Sequence, residues 1–419
     1  MRWNRSGILL LLLEGAAACH VPITRADASL ESAVRDASPD DVRPALADTG
    51  SDSPSAPWLD PEFRLPREQL VFSPSRRRPC GGFAPIAFGG PVDNYRAHSA
   101  GGWFYYSAYG SLIRFRIGDS LIEGMSDRSL GGLLGLRTGK FLAAFTDQRS
   151  FTDAVIEYDH PELAGRGRVI WQFQRRPTES EAGWYGFSAT DSLIAFAWRN
   201  SIEAGTSVVL IQSMNPDGTG VRVHNWEPRF QHSFGELRAS GDRFVVDMAG
   251  QVKVWQRGDP EPRAISPSNS PQWHPWIDGT RVVWIDQRHG PRGTRVDPDN
   301  PEVYYSDLAT GEVRRITHDP VDRPVVQDAV TIEGDWIAWS DLRNASQPNG
   351  SFLGDRVDVY GYHIPTGTEV QLVSDPRCPA TQPVLLAGRL FFTGYPMDGG
   401  GAPPLYMASL PTMPQRRDE

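Results

Sequence analysis

One unit of about fifty residues recurs along the chain, and this repeat constrains the fold more than any other feature. The clearest copy runs Asp278-Gly279-Thr280-Arg281-Val282-Val283-Trp284-Ile285-Asp286-Gln287-Arg288 and continues, after an insertion, Glu302-Val303-Tyr304-Tyr305-Ser306-Asp307-Leu308-Ala309-Thr310-Gly311. A second runs Gly334-Asp335-Trp336-Ile337-Ala338-Trp339-Ser340-Asp341-Leu342-Arg343 and continues Asp358-Val359-Tyr360-Gly361-Tyr362-His363-Ile364-Pro365-Thr366-Gly367. An earlier echo is Lys140-Phe141-Leu142-Ala143-Ala144-Phe145-Thr146-Asp147-Gln148-Arg149, and weaker copies lie at 102–106, 191–198, 241–247 and 388–393. Each unit reads as turn, apolar strand, Asp-x-Arg, loop, second strand, Thr-Gly turn, third strand. The apolar runs are short, β-branched and aromatic, and are bounded by Gly, Asp and Pro, which is the signature of strands. The first apolar run of each unit ends at 106, 147, 198, 247, 286, 341 and 393, which makes seven units.

A small antiparallel sheet cannot cover both of its faces. A repeat of this period therefore points to sheets standing side by side in a closed ring, each shielded by its neighbours. Composition agrees. With 41 Gly and 35 Pro in 419 residues, long helices are disfavoured and many tight turns are supplied, while 39% hydrophobic residues suffice for a core. The expected fold is all-β: a β-propeller of seven blades, each a four-stranded antiparallel sheet, over residues 67–414, with a short tail at 415–419.

The segments Val282-Val283-Trp284-Ile285-Asp286-Gln287-Arg288-His289-Gly290 and Val303-Tyr304-Tyr305-Ser306-Asp307-Leu308-Ala309-Thr310-Gly311 resemble the WD40-like repeats of TolB-type β-propellers, and residues 330–373 match nearly as well. The resemblance implies the fold and a binding role, and says little about a particular ligand. TolB itself has six blades, the alternative count here.

The first residues read as an export signal. Arg2 and Arg5 precede an apolar run from Gly7 to Leu13, then Ala16-Ala17-Ala18 and Cys19. A charged start, a short apolar core and a small-residue cleavage site define a secretory signal, and the run is too short to span a bilayer. The cysteine directly after small residues resembles the lipobox of bacterial lipoproteins. The resemblance implies cleavage after residue 18 and acylation of Cys19, placing the protein in the bacterial cell envelope and contacting membrane through its lipid. Residue His20, where Asp would resemble an inner-membrane retention signal, favours the outer membrane, with the domain facing periplasm or surface. Residues 19–66 form an acidic Ser/Pro-rich tether, too polar to offset its ordering entropy.

Two cysteines remain, Cys80 and Cys378. In an exported chain an even remainder fits one disulfide, here closing the ring between its first and last parts; two buried free thiols are the other reading.

The repeated Asp-x-Arg pairs, Asp147/Arg149, Asp286/Arg288 and Asp341/Arg343, are expected to be structural. A catalytic pair is needed once, whereas a pair that pins strand ends by bidentate bonds is needed in every unit. The insertion Asp297-Pro298-Asp299-Asn300-Pro301-Glu302 is dense in oxygen ligands of the kind Ca²⁺ takes. It lacks EF-hand spacing, so a solvated loop is expected and Asp297, Asp299 and Glu302 are the weak candidate for a metal. No cofactor is expected. The thirteen tryptophans are expected to fill the wedges between blades, Trp273-His274-Pro275-Trp276 included. Net charge is −9, which argues against nucleic acid as a partner. Forty of the 42 basic residues are Arg, scattered rather than clustered.

The histidines show no metal-ligand spacing, and no Gly-x-Ser-x-Gly nucleophile elbow is present. The expectation is accordingly a non-enzymatic scaffold that binds protein, peptide or cell-wall glycan on a ring face or at the channel. The rival is a propeller-type polysaccharide lyase or glycosidase. At least three His, Asp or Glu converging on the channel would favour the enzyme; a broad apolar patch would favour binding.

Overall fold

The computed structural model describes residues 67–71, 80, 82, 85–87, 98–100, 103–108, 111–116, 121–126, 130–137, 140–147, 152–159, 167–174, 183–202, 206–224, 234–248, 250–289, 301–319, 327–345, 356–395 and 404–413. Two N-terminal strands come first, β1 (Arg67–Val71) and β2 (Pro85–Ala87). Sheet I then holds β3 (His98–Ala100), β4 (Trp103–Ala108), β5 (Ser111–Arg116) and β6 (Leu121–Ser126). Sheet II holds β7 (Leu130–Arg137), β8 (Lys140–Asp147), β9 (Thr152–Asp159) and β10 (Arg168–Gln174). Sheet III holds β11 (Gly183–Ala189), β12 (Ile194–Ile202), β13 (Thr206–Met214) and β14 (Arg222–His224). Sheet IV holds β15 (Phe234–Ser240), β16 (Arg243–Met248), β17 (Gln251–Gln256) and β18 (Arg263–Ala264).

Sheet V holds β19 (Gln272–Asp278), β20 (Arg281–Asp286), β21 (Glu302–Asp307) and β22 (Glu312–Arg315). Sheet VI holds β23 (Gln327–Glu333), β24 (Trp336–Asp341), β25 (Asp358–His363) and β26 (Thr368–Val373). Sheet VII holds β27 (Ala380–Leu386), β28 (Arg389–Gly394) and β29 (Leu405–Ser409), with β2 as its outer strand. The five-stranded sheet I has β1 at its outer edge. The described residues contain no helix, and every strand pair is antiparallel. This is a β-propeller.

Alternation along the strands explains the packing. In β20, Val282 and Trp284 pack toward sheet IV, while Val283 and Ile285 pack toward sheet VI. In β24, Ile337 and Trp339 face sheet V, and Trp336 and Ala338 face sheet VII. Such strands read as unbroken apolar runs because both faces are buried. The largest fully buried side chains, Trp198, Trp284 and Trp339, sit on β12, β20 and β24 of three different sheets. Successive first strands β3, β7, β11, β15, β19, β23 and β27 contact one another in that order and form the innermost layer. Sheets VII and I meet where the rings of Phe391 and Phe104 lie 4.9 Å apart. β2, which precedes sheet I in the chain, pairs with β29 of sheet VII. Beside it Cys80 and Cys378, 298 residues apart, are joined by a disulfide.

The apolar runs that mark the repeat in sequence are the second strands of the sheets. The innermost strand of each unit escapes the sequence reading. Several of these strands carry polar side chains, and in six of the seven sheets a bulge breaks the alternation. Trp273-His274-Pro275-Trp276 is part of β19.

One end of the inner strands is tied by turns. The backbone N–H of Gly279 donates to Ser240 Oγ at 2.9 Å, that of Gly334 to Asp278 Oδ2 at 2.7 Å, and that of Gly388 to Glu333 Oε2 at 2.8 Å. Each bond joins one sheet to the next, and the turn glycine supplies the positive φ the turn requires.

Candidate functional site

The repeated Asp-Arg pairs are built alike. Asp286, fully buried at the end of β20, accepts from Arg288 N at 2.9 Å, Arg288 Nε at 3.0 Å and Arg288 Nη2 at 2.6 Å, and from Trp284 Nε1 at 3.1 Å. Asp341 repeats this with Arg343 and Trp339 at 2.8, 3.0, 2.6 and 2.9 Å. Each arginine also lies over a tyrosine ring, Tyr304 and Tyr360. These are strand-end fastenings with every acceptor lone pair engaged. The side chain of Asp147, like the whole of Arg149, Asp297, Asp299 and Cys19, lies outside the described residues. Glu302 is buried on β21, where Arg315, Thr317 and the N–H of Asp319 all bond to it. Among the described residues no group of three or more His, Cys, Asp or Glu is arranged to hold a metal ion.

A different cluster forms where three inner strands meet. β15, β19 and β23 each bulge, between Phe234 and Leu237, Trp273 and Trp276, and Asp328 and Thr331. The bulges of β19 and β23 put His274 and Ala329 at φ of 53° and 51°, and Gln382 of β27 follows at 54°. Positive φ is unusual for these residue types, and its recurrence marks one position of the repeat. There the bulge re-aims the side chain. His274 is followed by Pro275, which has no N–H to give to the ladder.

The imidazole of His274 is held between two carboxylates. Its Nδ1 bonds to Glu236 Oε1 of sheet IV, and its Nε2 lies 2.8 Å from Asp328 Oδ1 of sheet VI. The three side chains thus join three sheets. Solvent reaches 37% of the Asp328 side chain and 26% of His274, but only 7% of Glu236. A ligand arriving from solvent therefore meets Asp328 and His274 first. Two residues beyond Glu236, the buried Arg238 lies over the ring of Trp276 at 4.3 Å.

Burial alone would depress the pKa of His274, but Glu236 and Asp328, the neighbouring carboxylates, raise it well above the ordinary imidazole value. Burial would likewise raise Asp328, and His274 overrides it, leaving that carboxyl below its usual range. Each ring nitrogen of His274 thus faces a carboxyl oxygen, and the raised pKa favours the imidazolium. Asp247, on β16 behind Glu236, is also buried; desolvation pushes its carboxyl well above the usual carboxylate range.

None of these four residues stood out in the sequence as chemistry. Aligning the inner strands would have exposed them, because His274, Ala329 and Gln382 differ in chemistry at one repeat position.

No protein-family model matches the chain, and no curated protein matches it. Solved structures share the fold. An oligogalacturonate lyase in complex with manganese superposes with a TM-score of 0.54 at 12% identity, covering 83% of this chain and 97% of that one. An oligogalacturonate lyase from Vibrio parahaemolyticus gives 0.51 at 11% identity, covering 83% and 98%. The acylaminoacyl peptidase of Pyrococcus horikoshii gives 0.53 at 10% identity, covering 77% of this chain and 51% of that one. At these identities the likeness is one of fold.

Proposed function

We propose that the chain is an acid–base enzyme of the propeller lyase or glycosidase type, acting on a polyhydroxylated, glycan-type ligand where Glu236, His274 and Asp328 converge. The convergence of these three titratable side chains at the innermost layer carries the reading. It is the arrangement that separates the enzyme from the scaffold. The large exposed apolar side chains among the described residues are Val169, Val221 and Val313. The two lyases with this fold are matched over nearly their whole length, whereas the peptidase is matched over half. In this reading Asp328 orients the ligand's hydroxyls, and Glu236 exchanges the proton.

The blade count we take is seven, one blade per sheet. We place the protein in the bacterial envelope, held by a lipid on Cys19 ahead of a tether.

A second reading keeps the scaffold: binding without turnover. It is favoured by the fact that both ring nitrogens of His274 are committed to carboxylates, which leaves no lone pair for a base. Incubating the full chain with polygalacturonate fragments and with peptidoglycan fragments decides between them. New reducing ends or unsaturated products, falling about 100-fold or more in Glu236→Gln, support the enzyme. Binding with no product, weakened equally by Glu236→Gln and Asp328→Asn, would establish the scaffold instead.

A further inference from the structure

The bulge in β15 has a second effect. Phe234 pairs with Met248 and Leu237 with Val246, so Gly235 and Glu236 together stand opposite the single residue Asp247 of β16. Two carboxyl groups are thereby brought to one buried place, one strand behind the side facing solvent. Glu236 uses Oε1 for His274; its Oε2 is buried and has no hydrogen-bond partner among the described residues. Asp247 Oδ1 is buried and likewise without a partner. Two buried acceptors without a donor are costly. The remedy that needs no further group is a proton on one of them, which turns an acceptor into a donor.

We propose that Asp247 and Glu236 form a carboxyl dyad that holds one proton, Asp247 donating its O–H to Oε2 of Glu236 and so setting when Glu236 takes or gives a proton at the ligand. The role in the chemistry rests on the acid–base reading above; the dyad itself does not. Asp247 is a positioning residue, since it meets the ligand only through Glu236. The charge arrangement assigns the proton. His274 already occupies the other oxygen of Glu236. Asp247 lies one strand further from solvent, its carboxyl raised by desolvation and by the charge of Glu236, with His274 opposing. Among the described residues the charges that act on Asp247 are those of His274 on β19 and Glu236 on β15, with Asp328 of β23 bonded to the far side of His274. Like charges in a shared dry site drive two carboxyls apart in affinity for a proton.

The test is carboxyl-carbon NMR of the full chain with labelled aspartate, titrated from acid to alkaline pH. One aspartate signal should remain in its protonated form at neutral pH. Asp247→Asn should remove that signal, with circular dichroism unchanged. Glu236→Gln, which takes away a negative charge, should keep the signal and move its titration to lower pH. If Asp247→Asn does not fold, the Glu236→Gln shift decides alone. Absence of a protonated aspartate at neutral pH, or a titration that Glu236→Gln leaves in place, would overturn the dyad. A dyad seen in a chain that turns over no glycan would sink the enzyme reading and leave the dyad standing.

Discussion

Nε2 of His274 lies 2.8 Å from Oδ1 of Asp328, across the boundary between sheets V and VI. On its other side the same ring bonds to Glu236 of sheet IV, so one protonated imidazole fastens three sheets.

Stability should depend on pH in a defined way. The pKa of His274 is raised, so its contribution is complete below the ordinary imidazole pKa of about 6.5 and is lost as pH rises through the higher folded value. Asp328 is lowered, so its contribution is complete above the ordinary 3.8 and is lost as pH falls through the lower folded value. Calorimetry across pH should show His274→Gln losing the alkaline limb of wild type. The variant should be about 2 kcal/mol less stable at neutral pH, since it deprives the buried Glu236 of its charged partner. An unchanged alkaline limb would remove His274 from the clamp.

The strand-end fastenings should be expensive to break. Asp286→Ala takes the shared acceptor from the Arg288 guanidinium and leaves the buried Trp284 N–H without a partner. The expected loss is about 3–5 kcal/mol in urea unfolding, as for other buried pairs deprived of one partner. Arg288→Lys should lose part of this, because lysine cannot form the two-point fork.

Gly394 has no room for a side chain. An added Cβ would stand 2.9 Å from Cys378 Sγ, 3.0 Å from Cys80 Sγ and 2.5 Å from the Tyr406 ring. Gly394→Ala should cost about 1–3 kcal/mol through overpacking. Gly279→Ala meets nothing within 4 Å but sits at φ +60°, and should cost about 1–2 kcal/mol through backbone strain alone. Melting temperatures of the two variants, alone and after reduction, separate these causes: only the Gly394→Ala penalty should shrink when the disulfide is opened.

Replacing Cys80 and Cys378 by Ser should lower stability by about 3–5 kcal/mol, the scale for a bond closing so long a loop. Amide exchange should speed up first in β2 and β29, the strands that the bond holds together.

Labelling cells with palmitate should mark the wild-type chain, and Cys19→Ala should lose the label. An unlabelled wild type would end the lipoprotein proposal.

The sequence was most readable where chemistry repeats. Val282-Val283-Trp284-Ile285-Asp286 and Trp336-Ile337-Ala338-Trp339-Ser340-Asp341 announce strands because both faces are apolar and the ends carry the same fastening. The propeller followed from those runs and their spacing. The inner strands were hidden for the opposite reason. β19 mixes Gln272, His274 and Asp278 with two tryptophans and bulges midway, so no period of two survives. The site was hidden with them: Glu236, His274 and Asp328 come together only through the contact of three strands about forty to fifty residues apart in the chain. Asp247 looked like one more strand-end acid, although no arginine follows it at the spacing seen after Asp286 and Asp341.

The N-terminal strands give the molecule a two-stage brake. β1 is held at the rim of sheet I by five residue pairs with β6, and Cys80 follows it in the chain before β2 is reached. A tug on the N-terminus can unzip the five pairs, and then meets a covalent bond. The chain can therefore pay out its first strand under tension while β2 stays seated, so extension at the leading end does not become an opened circle.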